Sequence, residues 1–230
     1  MKKNFILSMA IAYTMLAACS NDEIVDVNTG GTISFRTLID IATRTNQETT
    51  ASLSTFKVTA IKDAGTEFAT TVTKSGSEWN TAETYYWPNY ALKFYAYANG
   101  PAAGKGRVSI TKDAKTITDF TPAGNVTEHK DLLVAYNTGT KDNYNSSPVP
   151  LTFKHALSQI EVKAKNEKAS SVKVEIIGVK LVNMATKATL TFPESTLDNT
   201  KLPINNWSNQ TDLNIPSKAY YSNGTKAVVL

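Results

Sequence analysis

The sequence predicts an all-β protein built on the β-sandwich plan, and three observations carry that expectation. Thr occurs 31 times in 230 residues, and with Val, Ile and Tyr it favours extended backbone. Apolar and polar residues alternate over short runs, which gives each run a single apolar face. Gly, Pro, Asn and Ser punctuate those runs, and beyond the N-terminal segment no stretch holds a 3.6-residue apolar period over about 11 or more residues. Hydrophobic residues make up 41% and charged residues 19%, which excludes collagen, coiled coil and disulfide scaffold. A chain of this length buries roughly 70% of its unfolded surface, so neither a metal nor a disulfide is needed to hold a core.

The first residues are an address. Lys2 and Lys3 form a positive start, and residues 5–16 are an apolar run. That run is shorter than the roughly 20 residues a membrane-spanning helix needs, and it fits a secretory signal. Leu16-Ala17-Ala18-Cys19 then reads as a bacterial lipobox, in which small residues admit a peptidase that cuts before a lipid-modified Cys. Residues 1–18 are therefore expected to be a lipoprotein signal peptide and residues 19–30 a lipidated leader anchored through Cys19. Cys19 is the single Cys of the chain, so lipidation leaves no free thiol and no disulfide. The acidic cluster Ser20-Asn21-Asp22-Glu23 resembles the surface-export signal of Bacteroidota lipoproteins, which implies display on the outer membrane at the cell surface. Removing Lys2 and Lys3 from 24 basic residues leaves 22 against 20 acidic ones, a near-neutral balance that argues against a nucleic-acid partner.

The strands follow in order. Ile33, Phe35, Ile39 and Ile41 share one parity and predict a first strand with one apolar face. Residues 46–54 are polar and Thr-rich, hence a loop. Phe56, Val58 and Ala60 begin the next strand, and residues 66–74 form another that ends in the turn Ser75-Gly76-Ser77. Residues 79–87 are aromatic-rich and closed by Pro88. Leu92, Phe94, Ala96 and Ala98 face one way and Tyr95 and Tyr97 the other, before Asn99-Gly100-Pro101 breaks the strand. Residues 107–111 and 131–136 predict two more strands, and 137–148, ending at Pro148, read as a linker-like stretch, either a long loop within a domain or the approach to a boundary. The run 149–165 changes parity near Ser158 and Gln159, and 172–182 changes it at Ile176-Ile177, which predicts bulges or bends. Residues 225–230 read as a strand that has only begun, so either the chain continues in nature or this strand pairs elsewhere.

Catalytic chemistry finds no support in the residues. His129 and His155 lack the neighbours of a metal site, and no HExxH, CxxC, P-loop, GxGxxG or GxSxG pattern occurs. No enzyme, cofactor or metal is expected. The group 128–131 reads as a solvated turn, and His155 as a core or interface residue with a hydrogen-bond partner. The aromatic cluster from Trp79 to Tyr97 has two readings. It is a sandwich core with an aromatic rim, or a sugar-stacking platform in which Trp79, Tyr86 and Trp87 hold a glycan.

Three segments together resemble a known family. They are Tyr86-Trp87-Pro88 followed by Leu92-Lys93-Phe94-Tyr95-Ala96-Tyr97, then Lys130-Asp131-Leu132-Leu133-Val134-Ala135, then residues 149–160 with Pro150, Phe153, His155 and Gln159. In this order behind a lipobox they are similar to the fimbrillin family, the Mfa-like lipoprotein pilins of Bacteroidota. The resemblance implies two tandem β-sandwich domains of transthyretin-like topology, here 31–150 and 151–230, the second apparently incomplete. It implies a fimbrial subunit, structural or accessory, that serves adhesion and partners other fimbrial subunits in a homo- or hetero-polymer. The outer membrane, through the lipid, and surface receptors would be further partners. It also implies processing: a trypsin-like protease cuts after an Arg beyond the first strand, here Arg44 before Thr45, and another subunit fills the groove left by the strand carrying Ile33, Phe35, Ile39 and Ile41. The glycan-binding surface lipoprotein remains the alternative.

Overall fold

The computed structural model describes residues 31–39, 49–123, 128–158, 185–195 and 206–212. The sites at Cys19, Ile41, Arg44 and Thr45 lie outside them, as do Gln159, the run 172–182 and residues 225–230. The described residues are all-β apart from one four-residue helix. In chain order the elements are β1 Phe35–Ile39, β2 Thr55–Lys62, β3 Gly65–Ser75, β4 Glu78–Thr81, β5 Leu92–Ala98, β6 Arg107–Ile110, β7 Lys115–Phe120, β8 Leu133–Gly139, α1 Lys141–Tyr144, β9 Val149–His155, β10 Ala185–Thr191 and β11 Trp207–Asp212.

They form two sheets. The larger has the order β1-β9-β8-β5-β2-β3-β4, and the smaller has the order β11-β10-β7-β6. Local hairpins build one end of the larger sheet: β2 pairs β3, and β3 returns to the edge strand β4 through a turn where Gly76 takes φ +61°, a conformation that glycine adopts without a Cβ clash. Long-range antiparallel pairs join β2 to β5, β5 to β8 and β8 to β9. Among the described residues, the one parallel pair in the larger sheet is β1 with β9.

Alternation in the sequence decides where each side chain goes. Leu92, Phe94, Ala96 and Ala98 join Phe35, Phe56, Trp79, Leu133, Leu151 and Phe153 in a core enclosed by the larger sheet. Tyr95 and Val134 point to the opposite face and share a second core with Ile117 and Leu190 of the smaller sheet and Phe192 just beyond β10. The central strands β5 and β8 are thus covered on both faces, which is why their sequences lack a polar side. Tyr95 keeps its hydroxyl satisfied by donating to Glu194 Oε1 at 3.1 Å, and burial first, then that carboxylate, pushes its ionisation far above the ordinary phenol range.

Several expectations are redrawn. Residues 137–139 continue β8 instead of opening a linker, because their polar groups are paired inside the sheet. The Asn137 side-chain amide donates to Pro150 O at 2.5 Å, and Thr138 Oγ1 donates to Leu92 O at 3.0 Å. Pro150 has no N–H to offer a neighbour, and the Asn137 side chain bridges β8 to β9 there. Residues 141–144 form α1, whose Thr140 and Asn143 satisfy one another at its start. The strands β7, β10 and β11 were not expected. The domain boundary expected between 150 and 151 falls inside β9, and β10 and β11, assigned to the second unit, share a sheet with β6 and β7 of the first.

Candidate functional site

The candidate site is β1 and the slot that holds it. Its lead-in is fixed on two sides. The Ile33 N–H donates to Tyr85 O at 2.8 Å, and the Trp87 N–H donates to Gly31 O at 3.0 Å, around an antiparallel bridge between Thr32 and Tyr86. On the other side the Val149 N–H donates to Ser34 O at 2.8 Å. β1 then runs parallel to β9, with Phe35 opposite Val149, Thr37 opposite Leu151 and Ile39 opposite Phe153. The segment therefore bridges β9 and the chain just after β4, and closes the larger sheet across its open side.

Side chains follow the same logic. Ile33, Phe35, Thr37 and Ile39 point inward and are buried, while Arg36 and Leu38 point outward and are exposed. Phe35 meets Phe94 edge-on, with ring centroids 5.7 Å apart, and Phe56 at 6.1 Å. Edge-to-face pairs of this kind add about 0.5–1.5 kcal/mol beyond the area they bury. The strand's end is held by the Ile39 N–H, which donates to Thr50 Oγ1 at 3.0 Å. Thr50 belongs to a tight turn in which Thr49 and Ser52 exchange backbone-to-side-chain hydrogen bonds.

A clamp covers the lead-in. The Gly31 N–H donates to Asn145 Oδ1 at 3.1 Å, and Tyr144 stacks on Trp87 with centroids 6.1 Å apart. A Cβ at Gly139 would collide with the Tyr144 ring, and one at Gly31 would collide with Asn145, so both positions need the bare backbone. Sequence reading missed Gly31, Tyr144, Asn145 and Thr50 as the surroundings of the strand. The parity of Ile33, Phe35 and Ile39 already marked Thr37 as inward. No local pattern marked the others, since their contacts reach across more than a hundred residues in the case of Gly31 and Asn145.

The proposed stacking platform does not form from its three residues. Trp79 lies in β4, buried against Phe56 with centroids 5.0 Å apart. Trp87 is wholly buried, edge-on to Phe94 at 5.7 Å. Only Tyr86 is exposed, at 51%. The reason is that residues 79–87 form the wall against which β1 closes, so the indoles fill the core and present no open face. Nearby, Tyr90 accepts from Lys62 Nζ at 3.3 Å and donates to Glu67 at 2.9 Å, a surface triad in which the Lys62 hydrogen bond holds the Glu67 carboxyl below its usual range.

The two histidines have structural partners. His155 Nδ1 lies 2.6 Å from Asp131 Oδ2, tying the end of β9 to the chain entering β8, and His129 Nε2 lies 2.7 Å from Ala123 O. Among the described residues no three His, Cys, Asp or Glu gather as a metal site.

Comparison with known proteins bears on the same architecture. No curated protein matches the chain. A crystal structure of a fimbrial protein from Bacteroides vulgatus ATCC 8482 is similar in fold, with a TM-score of 0.51 and 21% identity. The match covers 70% of this chain and 58% of that one, so this chain spans less than two thirds of its structural relative. The sequence model of the fimbrillin-like family matches residues 30–230, which takes in both sheets, β1 and its slot, and the chain accordingly belongs to the fimbrillin-like family.

Proposed function

We propose that the protein is a structural or accessory subunit of a cell-surface fimbria. In this reading it is exported as a lipoprotein on Cys19, is cut after Arg44, and assembles when an extended segment of another subunit takes the place of β1. Adhesion is the biological output, and the lipid-anchored form resides in the outer membrane until assembly. Family membership supports the fimbrial assignment. The observation that carries the mechanism is that β1 is an apolar-faced strand paired along β9 and joined to β2 only through residues 40–54, which contain Arg44. An extended segment offered to such an edge gains main-chain hydrogen bonds for affinity and alternate side-chain positions for specificity. Burial of Trp79 and Trp87 counts against the glycan-binding alternative.

Two results test the reading. Mass spectrometry of purified fimbriae should find Thr45 as the N-terminus of the assembled subunit. Assembled subunits that all begin at an intact Cys19 would overturn the cut. Separately, Cys19→Ala should abolish acyl labelling and membrane retention. A variant that partitions with membranes like the wild type would remove the anchor.

A further inference from the structure

The occupant of the slot has one defect. Of the four inward positions of the lead-in and β1, three carry Ile33, Phe35 and Ile39, whose side chains are wholly apolar, and the fourth carries Thr37. Its Oγ1 is buried and finds no hydrogen-bond partner among the described residues. Thr37 lies opposite Leu151, and the core on this face of the sheet includes Phe56, Val58, Phe94, Leu151 and Phe153, none of which has a side-chain acceptor. A hydroxyl taken from water into such surroundings without a partner weakens the strand that carries it. Val has nearly the shape of Thr with a methyl in place of the hydroxyl, so the space at this position admits it without repacking.

We infer that Thr37 handicaps the resident strand, and that the slot prefers an extended partner segment that runs parallel to β9 and carries Val or Ile at the Thr37 position. The inference rests on the strand-exchange reading and specifies its partner. The Phe35 position, between Phe56 and Phe94, takes an aromatic ring, and the Ile33 and Ile39 positions take aliphatic residues. The Arg36 and Leu38 positions face solvent and are not read. Direction is set by the same bonds β1 makes: the partner must present a carbonyl to the Val149 N–H and pair antiparallel with residues 85–87 at its start. A segment meeting these terms replaces β1 contact for contact and sheds the unpaired hydroxyl.

Two measurements on the full chain test this. In the first, amide hydrogen exchange is followed at Val149, whose N–H is released when the lead-in leaves. Thr37→Val should slow that exchange by about tenfold or more, the size expected for relieving one buried, unpartnered hydroxyl. Thr37→Ser keeps the hydroxyl and should give no slowing. Equal exchange in Thr37→Val and wild type, or equal slowing in both variants, overturns the handicap. In the second, the chain cut at Arg44 is offered fluorescent peptides copying residues 31–39, with Thr or with Val at position 37. Capture of the Val peptide about tenfold more tightly supports the inference. Equal capture overturns it while strand exchange stands, and capture of neither overturns strand exchange itself.

Discussion

Phe35→Asp releases β1 from the sheet and speeds cleavage at Arg44 by about 10³-fold, because truncating a buried Phe alone costs about 3–5 kcal/mol and each 1.4 kcal/mol is a factor of ten. Placing a carboxylate among Phe56, Phe94 and Phe153 adds an unpaired charge to that loss, so the figure is a floor. Ile39→Asp, four residues along the same face, should act in the same direction. The matched control is Leu38→Asp. Leu38 lies one residue from Ile39 but faces solvent at 51% exposure, and substitutions at such sites stay within about 0.5 kcal/mol. Timed digestion with an Arg-specific protease reads all three. Equal rates for Phe35→Asp and Leu38→Asp would show that the strand has no buried face.

Deleting residues 30–44 should convert the protein into one that self-associates. The deletion removes the partner of the Val149 N–H and of the Tyr85 carbonyl and Trp87 N–H, and leaves the edge of β9 open along its length. It also uncovers the rings of Phe56 and Phe94 where Phe35 stood. An exposed apolar edge of this kind is a template for pairing with another chain. Size-exclusion chromatography with light scattering should show oligomers that an added peptide copying residues 31–39 disperses. A deletion variant that stays monomeric, stable and blind to such a peptide would remove strand exchange as the mechanism.

The larger sheet was largely legible in the sequence and the smaller one was not, and the difference is physical. Strands such as β5 and β9 have at least one face sealed against a core, so their apolar residues recur at every second position. β7 instead buries Ile117 and Phe120, three residues apart, because Asp119 between them takes φ +55° and breaks the alternation. β10 fully buries only Leu190, and its pairings with β7 and β11 both shift register, while β11 beyond Trp207 is polar and exposed where its side chains are described. A sheet with one face to solvent and interrupted pairing leaves little periodic signal. At the candidate site, the face of β1 could be read from Ile33, Phe35 and Ile39. Its direction and its partner could not, since parallel pairing with β9 joins residues more than a hundred apart and no local turn dictates it. The aromatic run misled for a related reason: Trp79 is covered by Phe56, more than twenty residues before it, and Trp87 by Tyr144, more than fifty residues after it.

The connection through residues 40–54 gives β1 an advantage that none of its contacts supplies. A segment tied to its own slot by a short stretch of chain competes at an effective concentration in the millimolar range. An identical segment on another molecule present at about micromolar concentration is outnumbered roughly 10³-fold at the slot, whatever its sequence. The hydrogen bonds and ring contacts described for β1 involve none of the residues at the cut, so cutting the chain at Arg44 leaves them in place, yet it abolishes that advantage, because a departed strand is then diluted into the surroundings. Under the proposed mechanism, proteolysis acts as an entropic timer: subunits ignore one another while the tether is intact, and compete on contact energies alone once it is gone.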